Sequence, residues 1–216
     1  MIEYTIFSIK IIILLFSTDQ FLTYQKKQPL IRWYWVHALS NMIISYYTFI
    51  PMVQILSDPI DHIINPTRFE ESTIIVAIIH LYHLCFFNCT KSDWVHHLLF
   101  VLLGTISHYL VNWGYITALY HFFICGFPGG IDYIALALVK EKRLLKINRL
   151  KLAVELNTWI RSPGIIISWA FGYIWYIYNG TNFIHLLCFI VMTIGSVINA
   201  QYYSRQVTLY AGKHAY

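Results

Sequence analysis

The chain has 216 residues, one domain's worth on a prior of roughly 100–200 residues per domain. Hydrophobic residues make up 58% and charged residues 12%, against roughly 45–50% and 25% in soluble domains. So few charges cannot dress the surface of a soluble globule, and the apolar content, aperiodic glycine and only four Cys exclude disorder, a collagen-like repeat and a disulfide scaffold, leaving a membrane protein.

Seven apolar stretches follow in chain order, near Tyr4–Leu22, Trp33–Leu56, Ser72–Phe87, Trp94–Val111, Tyr115–Val139, Leu152–Tyr178 and Asn182–Tyr203. Most approach the roughly 17–25 residues that cross a hydrocarbon core as helix. The first is interrupted by Lys10 and shows no small-residue cleavage site after Phe16, which predicts an anchor helix rather than a signal peptide. The fifth carries Gly126-Phe127-Pro128-Gly129-Gly130, which strips helix propensity and removes a backbone donor at Pro128. Irregular backbone at membrane depth survives only against protein or a cavity, so a kinked or re-entrant element is expected there, with Asp132 facing protein or water. Residues 1–32 read as an anchor helix and basic loop, 33–205 as the transmembrane domain and 206–216 as a short cytoplasmic tail.

The net charge of +5 is less informative than its distribution. With seven crossings and the N-terminus outside, Lys26, Lys27, Arg32, Lys91, the cluster Lys140, Lys142, Arg143, Lys146, Arg149 and Lys151, then Arg205 and Lys213 all fall on the cytoplasmic side. Arg68 alone faces the other way, beside Asp58, Asp61, Glu70 and Glu71. Such a bias follows the positive-inside rule, whether or not the first stretch crosses, and it removes nucleic acid as the reason for the basic pI. Trp33-Tyr34-Trp35, Tyr176, Tyr178 and Tyr202-Tyr203 sit at stretch ends, where amphipathic rings meet headgroups. Cys85, Cys89, Cys125 and Cys188 lack zinc spacing and read as small packing residues, so neither a metal nor a tightly bound cofactor is expected.

Eight of the ten His fall within the apolar stretches: His37, His80, His83, His96, His97, His108, His121 and His185. Ionisable groups at membrane depth usually face a bundle interior, a pathway or a reaction centre. In Ser92-Asp93-Trp94-Val95-His96-His97, Ser92 or Asp93 is the expected N-cap, and Asp93 is spaced to hold one imidazole N–H. An oriented imidazole with a carboxylate behind it suits general-base chemistry. His80 and His83 share a face of the preceding helix, and the short Asn88–Ser92 link sets the two helices side by side, so His83, His96 and His97 are expected to converge. Two irons would need about eight ligands, which the spacings do not provide.

Taken in order, four places resemble the TLC-domain family, which includes the ceramide synthases: His37-Ala38, Asp93-x-x-His96-His97, the Asn157…Arg161 stretch, and Asn199-Ala200-Gln201-Tyr202-Tyr203. The resemblance spans Trp33 to Arg205. It departs at His80-Leu81-Tyr82-His83, where the family often has Tyr-x-x-Tyr-Asp, and at apolar Leu136 between Asp132 and Lys140. The resemblance implies an all-α integral membrane bundle of about six to seven transmembrane helices enclosing a lipid-accessible cavity, in the endoplasmic reticulum or a related endomembrane. It further implies membrane lipid as partner, acyl-CoA as substrate, and N-acyl transfer to a lipid amine. His96, His97 and Asp93 would then be catalytic, with His37, His80, His83, Asp132, Asn157, Arg161 and Asn199 around the substrate. Two other classes stay open, a non-catalytic lipid-binding or membrane-composition protein and, with less support, a transporter.

Overall fold

The computed structural model describes residues 2–214, and among them it is helical with no strand. Helices α1 (Ile2–Tyr24), α2 (Pro29–Ser57), the single-turn-and-a-half α3 (Pro59–Ile64) and α4 (Glu71–Phe86) come first. Four longer helices follow, each interrupted by a π-turn but never broken. These are α5 (91–110, π-turn His97–Leu102), α6 (Tyr115–Lys140, π-turn Phe122–Gly126), α7 (146–179, π-turn Leu156–Arg161) and α8 (183–214, π-turn Val191–Gly195). Each of the seven apolar stretches therefore lies on one helix, and α1, α2, α6 and α8 are long and apolar enough to cross a membrane. The last helix continues through His214, so most of the segment read as a tail is helical; its final residues 215–216, like Met1, lie outside the described residues.

Helix α2 is the hub. It packs against α6 along most of its length and also against α1, α3 and α4, while α7 packs on α6 and α8 packs on α7 and α5. One apolar core joins α1, α2 and α4 through Leu15, Val36, Ile44, Ile75 and Ile79. A second joins the end of α2 to α3, α6, α7 and α8 through Ile55, Ile63, Leu119, Trp175 and Cys188. The outward faces carry Ile13, Ile50, Leu99, Ile177, Ile184 and Ile198, all exposed, a perimeter suited to hydrocarbon rather than water.

The α2–α6 seam explains the glycines of the fifth stretch. A methyl group at Gly129 would lie 2.7 Å from Asn41 Nδ2, one at Gly130 2.6 Å from Met42 Sδ, and one at Gly126 3.1 Å from Ser45 Oγ. Small residues let two helix backbones approach closely, which is how helices associate where lipid supplies no hydrophobic drive. The chain does not reverse at Pro128, because a π-turn ending at Gly126 absorbs the disruption and the helix runs on to Lys140. Pro128 cannot donate to Ile124 O, four residues back. That carbonyl instead accepts Arg161 Nε at 3.0 Å, so a side chain from α7 meets the freed backbone group.

Loops gather into two groups. Lys27, after α1, donates to Glu141 Oε1 at 2.8 Å, after α6, and Lys146 at the start of α7 bonds Tyr210 near the end of α8. At the opposite end, Asn112 Nδ2 donates to Pro66 O (2.8 Å) and Asn179 Nδ2 to Ile63 O (2.9 Å). The first group holds the basic clusters and the second the acidic segment Asp58–Glu71, the segregation expected from loop charge.

Candidate functional site

Five imidazoles meet just inside the basic end. His37 comes from the third turn of α2, His80 and His83 from the last two turns of α4, and His96 and His97 from the start of α5. His83 Nδ1 and His97 Nε2 are 3.1 Å apart, sharing one hydrogen bond. Ring centroids of His80 lie 5.1 Å from His97, 5.5 Å from His96 and 5.8 Å from His37. His80 Nδ1 lies 2.7 Å from Val76 O. A carbonyl only accepts, so Nδ1 carries the proton and Nε2 of a neutral ring is left with its lone pair.

Aromatic rings wall the cluster. Trp33 stacks on His83 at 3.8 Å between centroids, and Tyr133 of α6 lies 3.9 Å from His37. His37, His83 and His97 are buried, whereas His80 and His96 keep some exposure, and His96 faces Tyr203 of α8 at 6.3 Å. The expected convergence of His83, His96 and His97 is what the packing of α4 on α5 produces.

Asp93 requires a correction. The N-cap of α5 is Thr90, not Ser92 or Asp93: Thr90 Oγ1 accepts Asp93 N–H at 3.2 Å, and the Asp93 carboxylate accepts Thr90 N–H at 2.7 Å and its hydroxyl at 2.8 Å. This is a capping box, in which residues N-cap and N3 satisfy each other's backbone donors. The carboxylate is thereby committed to the helix end instead of an imidazole. Burial tends to raise its pKa, but these two Thr90 bonds outweigh burial and the carboxyl titrates below its ordinary range.

The remaining expected residues form a second, separate network between α6 and α7. Asp132 Oδ2 accepts Arg149 Nη2 at 2.7 Å, so the carboxylate faces protein, as its position in an apolar stretch requires. Arg161 Nη1 donates to Asn157 Oδ1 at 2.6 Å, and Asn157 Nδ2 to Ala153 O. Asn41 is buried on α2 one turn beyond His37, against Gly129, and its Nδ2 has no partner among the described residues. Asn199 is buried on α8, and its Oδ1 has no partner among the described residues. An open cleft lies elsewhere, among α5 to α8, lined by His108, Tyr120, Ser168, Met192, Thr193 and Ser196.

Three features escaped the sequence reading. Asp19, lone acid of the first apolar stretch, is buried and accepts Arg32 Nε at 2.8 Å and Tyr82 OH at 3.0 Å. Its acidity inside an apolar run was the available signal. His108 and His121 face each other at 5.0 Å, bonded to Thr117 and Ser72 respectively, a pairing between helices that no spacing foretells. Cys89, read as a packing residue, places its sulfur beside His83 and His97, with potential ligand atoms of all three within 4.8 Å of one another.

Comparison of the chain with protein-family models, with curated proteins and with solved structures finds no match. The functional reading therefore stands on the site itself.

Proposed function

We propose that this chain is a TLC-like membrane protein of six to seven crossings that acts on lipid, most concretely by transferring an acyl group from acyl-CoA to a lipid amine. The convergence of His37, His80, His83, His96 and His97 from three helices is the observation that carries the reading. Its depth supports a reaction at the membrane boundary. His96 lies five residues into α5, about 7–8 Å along a helix axis at 1.5 Å per residue. Lys27, Lys140, Lys142 and Arg143 stand at the same end, where cations suit CoA phosphates.

In this reaction the amine nitrogen attacks the thioester carbonyl carbon and gives its proton to His96. The amide bond forms as the carbon–sulfur bond breaks, and the CoA thiolate leaves and recovers the proton from the imidazolium. His96 is assigned this part because it keeps exposure while His97 is buried. Asp93 acts indirectly, by holding the start of α5 in place. Asp132 and Arg161 support the α6–α7 face against which Tyr133 and His37 pack.

The test is incorporation of labelled acyl-CoA into an amide-linked lipid by the full-length protein in lipid nanodiscs. His96→Asn keeps a polar group of similar size and is expected to abolish incorporation while leaving the thermal midpoint within a few degrees of wild type. Equal incorporation by both proteins overturns the part given to His96, and absence of incorporation by the wild type overturns acyl transfer. The reading favoured then is lipid binding or membrane organisation without turnover, in which the imidazoles serve to bridge α2, α4 and α5.

A further inference from the structure

We infer that His83, Cys89 and His97 form a zinc site that clamps the end of α4 to the start of α5. The three residues come from the last turn of α4, the link that follows it, and the second turn of α5. One potential ligand atom of each lies within 4.8 Å of the others. Around a tetrahedral zinc with Zn–N of about 2.0–2.1 Å and Zn–S of about 2.3 Å, ligand atoms stand roughly 3.3–3.6 Å apart. His83 Nδ1 and His97 Nε2, at 3.1 Å, are already near that spacing. Cys89 sits in a non-helical link, its sulfur 3.8 Å from Phe87 O and 4.0 Å from His83 O, so rotation about its Cα–Cβ bond can bring the sulfur to the metal.

The donor set selects the ion. Two imidazoles and one thiolate, without a carboxylate in the first ring of ligands, suit zinc and disfavour calcium or magnesium, which take oxygen. Binding moves the one proton that the two facing ring nitrogens share to the other nitrogen of its own ring, so both imidazoles stay neutral, and releases the proton of the thiol. A thiolate and a dication leave one positive charge, and Asp93 lies within electrostatic reach of His83, Cys89 and His97. Three protein ligands leave the fourth tetrahedral position for water. Burial of His83 and His97 shields the ion, while partial exposure of Cys89 gives it an entry path.

This site does not depend on acyl transfer, since His96 is not a ligand. The full-length protein, purified in detergent without chelators, is expected to carry one zinc per chain by mass spectrometry of the metal. Reconstituted with cobalt(II), it should show a thiolate-to-cobalt absorption in the near ultraviolet. Cys89→Ala is expected to lose that band and its zinc while eluting as wild type in size exclusion; Cys85→Ala, an exposed neighbour on α4, should keep both. Cys89→His, which restores a nitrogen ligand, should retain cobalt without the thiolate band. His96→Asn should keep zinc even where it loses acyl transfer, so the two readings fail separately. Wild-type protein that binds neither zinc nor cobalt, or a cobalt spectrum unchanged in Cys89→Ala, overturns the site.

Discussion

Several buried polar side chains in this molecule are paired across helices by geometry that no local pattern announces. Asp19 is the sharpest case, because its carboxylate takes Arg32 through two nitrogens, at 2.8 and 3.2 Å, and Tyr82 through the second oxygen. Removing one partner of a buried ion pair strands the other charge and costs about 3–5 kcal/mol. Asp19→Asn is therefore expected to lower stability by that order in reversible denaturation, whereas Tyr82→Phe, which removes one hydrogen bond to a charge, should lower it by about 1.5–3 kcal/mol. A smaller loss, about 0.5–2 kcal/mol, is expected for Thr90→Ala, which removes the cap of α5. Since the imidazoles of His96 and His97 stand on the turn that follows that cap, the same variant should broaden their NMR resonances, and unchanged line widths would separate the cap from the cluster.

At the scale of elements, all four π-turns sit beside polar or glycine-rich positions. His97 begins one, Gly126 ends the second two residues before Pro128, Asn157 and Arg161 lie within the third, and Thr193 within the fourth, just before Ser196. A π-turn adds a residue to the helix and re-aims the side chains that follow it. In α6 it accommodates Pro128 without a break, and Arg161 supplies the missing donor to Ile124 O. In a Pro128→Ala background the backbone N–H can take over that role. A double-mutant cycle is therefore expected to show Arg161→Met less destabilising in Pro128→Ala than in wild type. Additive losses would mean that Arg161 matters only through Asn157. Along the same seam, Gly130→Ala should destabilise by forcing Met42 aside, and Met42→Ala should recover part of the loss.

For the whole molecule, the two loop faces carry the charge segregation that sets topology. Lys27, Trp35 and Arg143 converge on Glu141, tying the α1–α2 link to the α6–α7 link. The Lys27 hydrogen bond, opposed by burial, holds the Glu141 carboxyl below its ordinary range. A carboxyl depressed in the folded state stabilises it above the unfolded value, about 4.3. That contribution fades as pH falls from there through the lower folded value. Thermal midpoints measured between pH 7 and 3 should therefore drop less steeply below pH 4.5 in Glu141→Gln than in wild type. For orientation, a cysteine introduced at Lys146 in a background lacking native cysteines should react with an impermeant reagent only from the cytoplasmic face. Labelling from the opposite face of oriented vesicles would invert the topology.

Period and composition were enough to determine an all-helical chain with helices long and apolar enough to cross a membrane, the positions of its apolar helices, the segregation of basic from acidic loops and the meeting of α4 with α5, because these follow from hydropathy over long windows and from a link too short to separate neighbours. They also required Asp132 to face protein or water, since a carboxylate in hydrocarbon is costly, and the fold settles it on Arg149. Which group each polar side chain engages was decided only by tertiary structure. Asp93 is spaced equally well for an imidazole or for Thr90, and the geometry of the helix start selects Thr90. Cys89 lies six residues from His83 and eight from His97, a spacing with no ligand signature, yet the fold of the α4–α5 link sets all three together. Pro128 announces a freed carbonyl, but its donor stands on another helix, 37 residues away in the chain. Pairings of this kind depend on how helices cross, and crossing is set by the close approach of the α6 backbone at Gly126, Gly129 and Gly130 to side chains of α2 rather than by any run of residues read along the sequence.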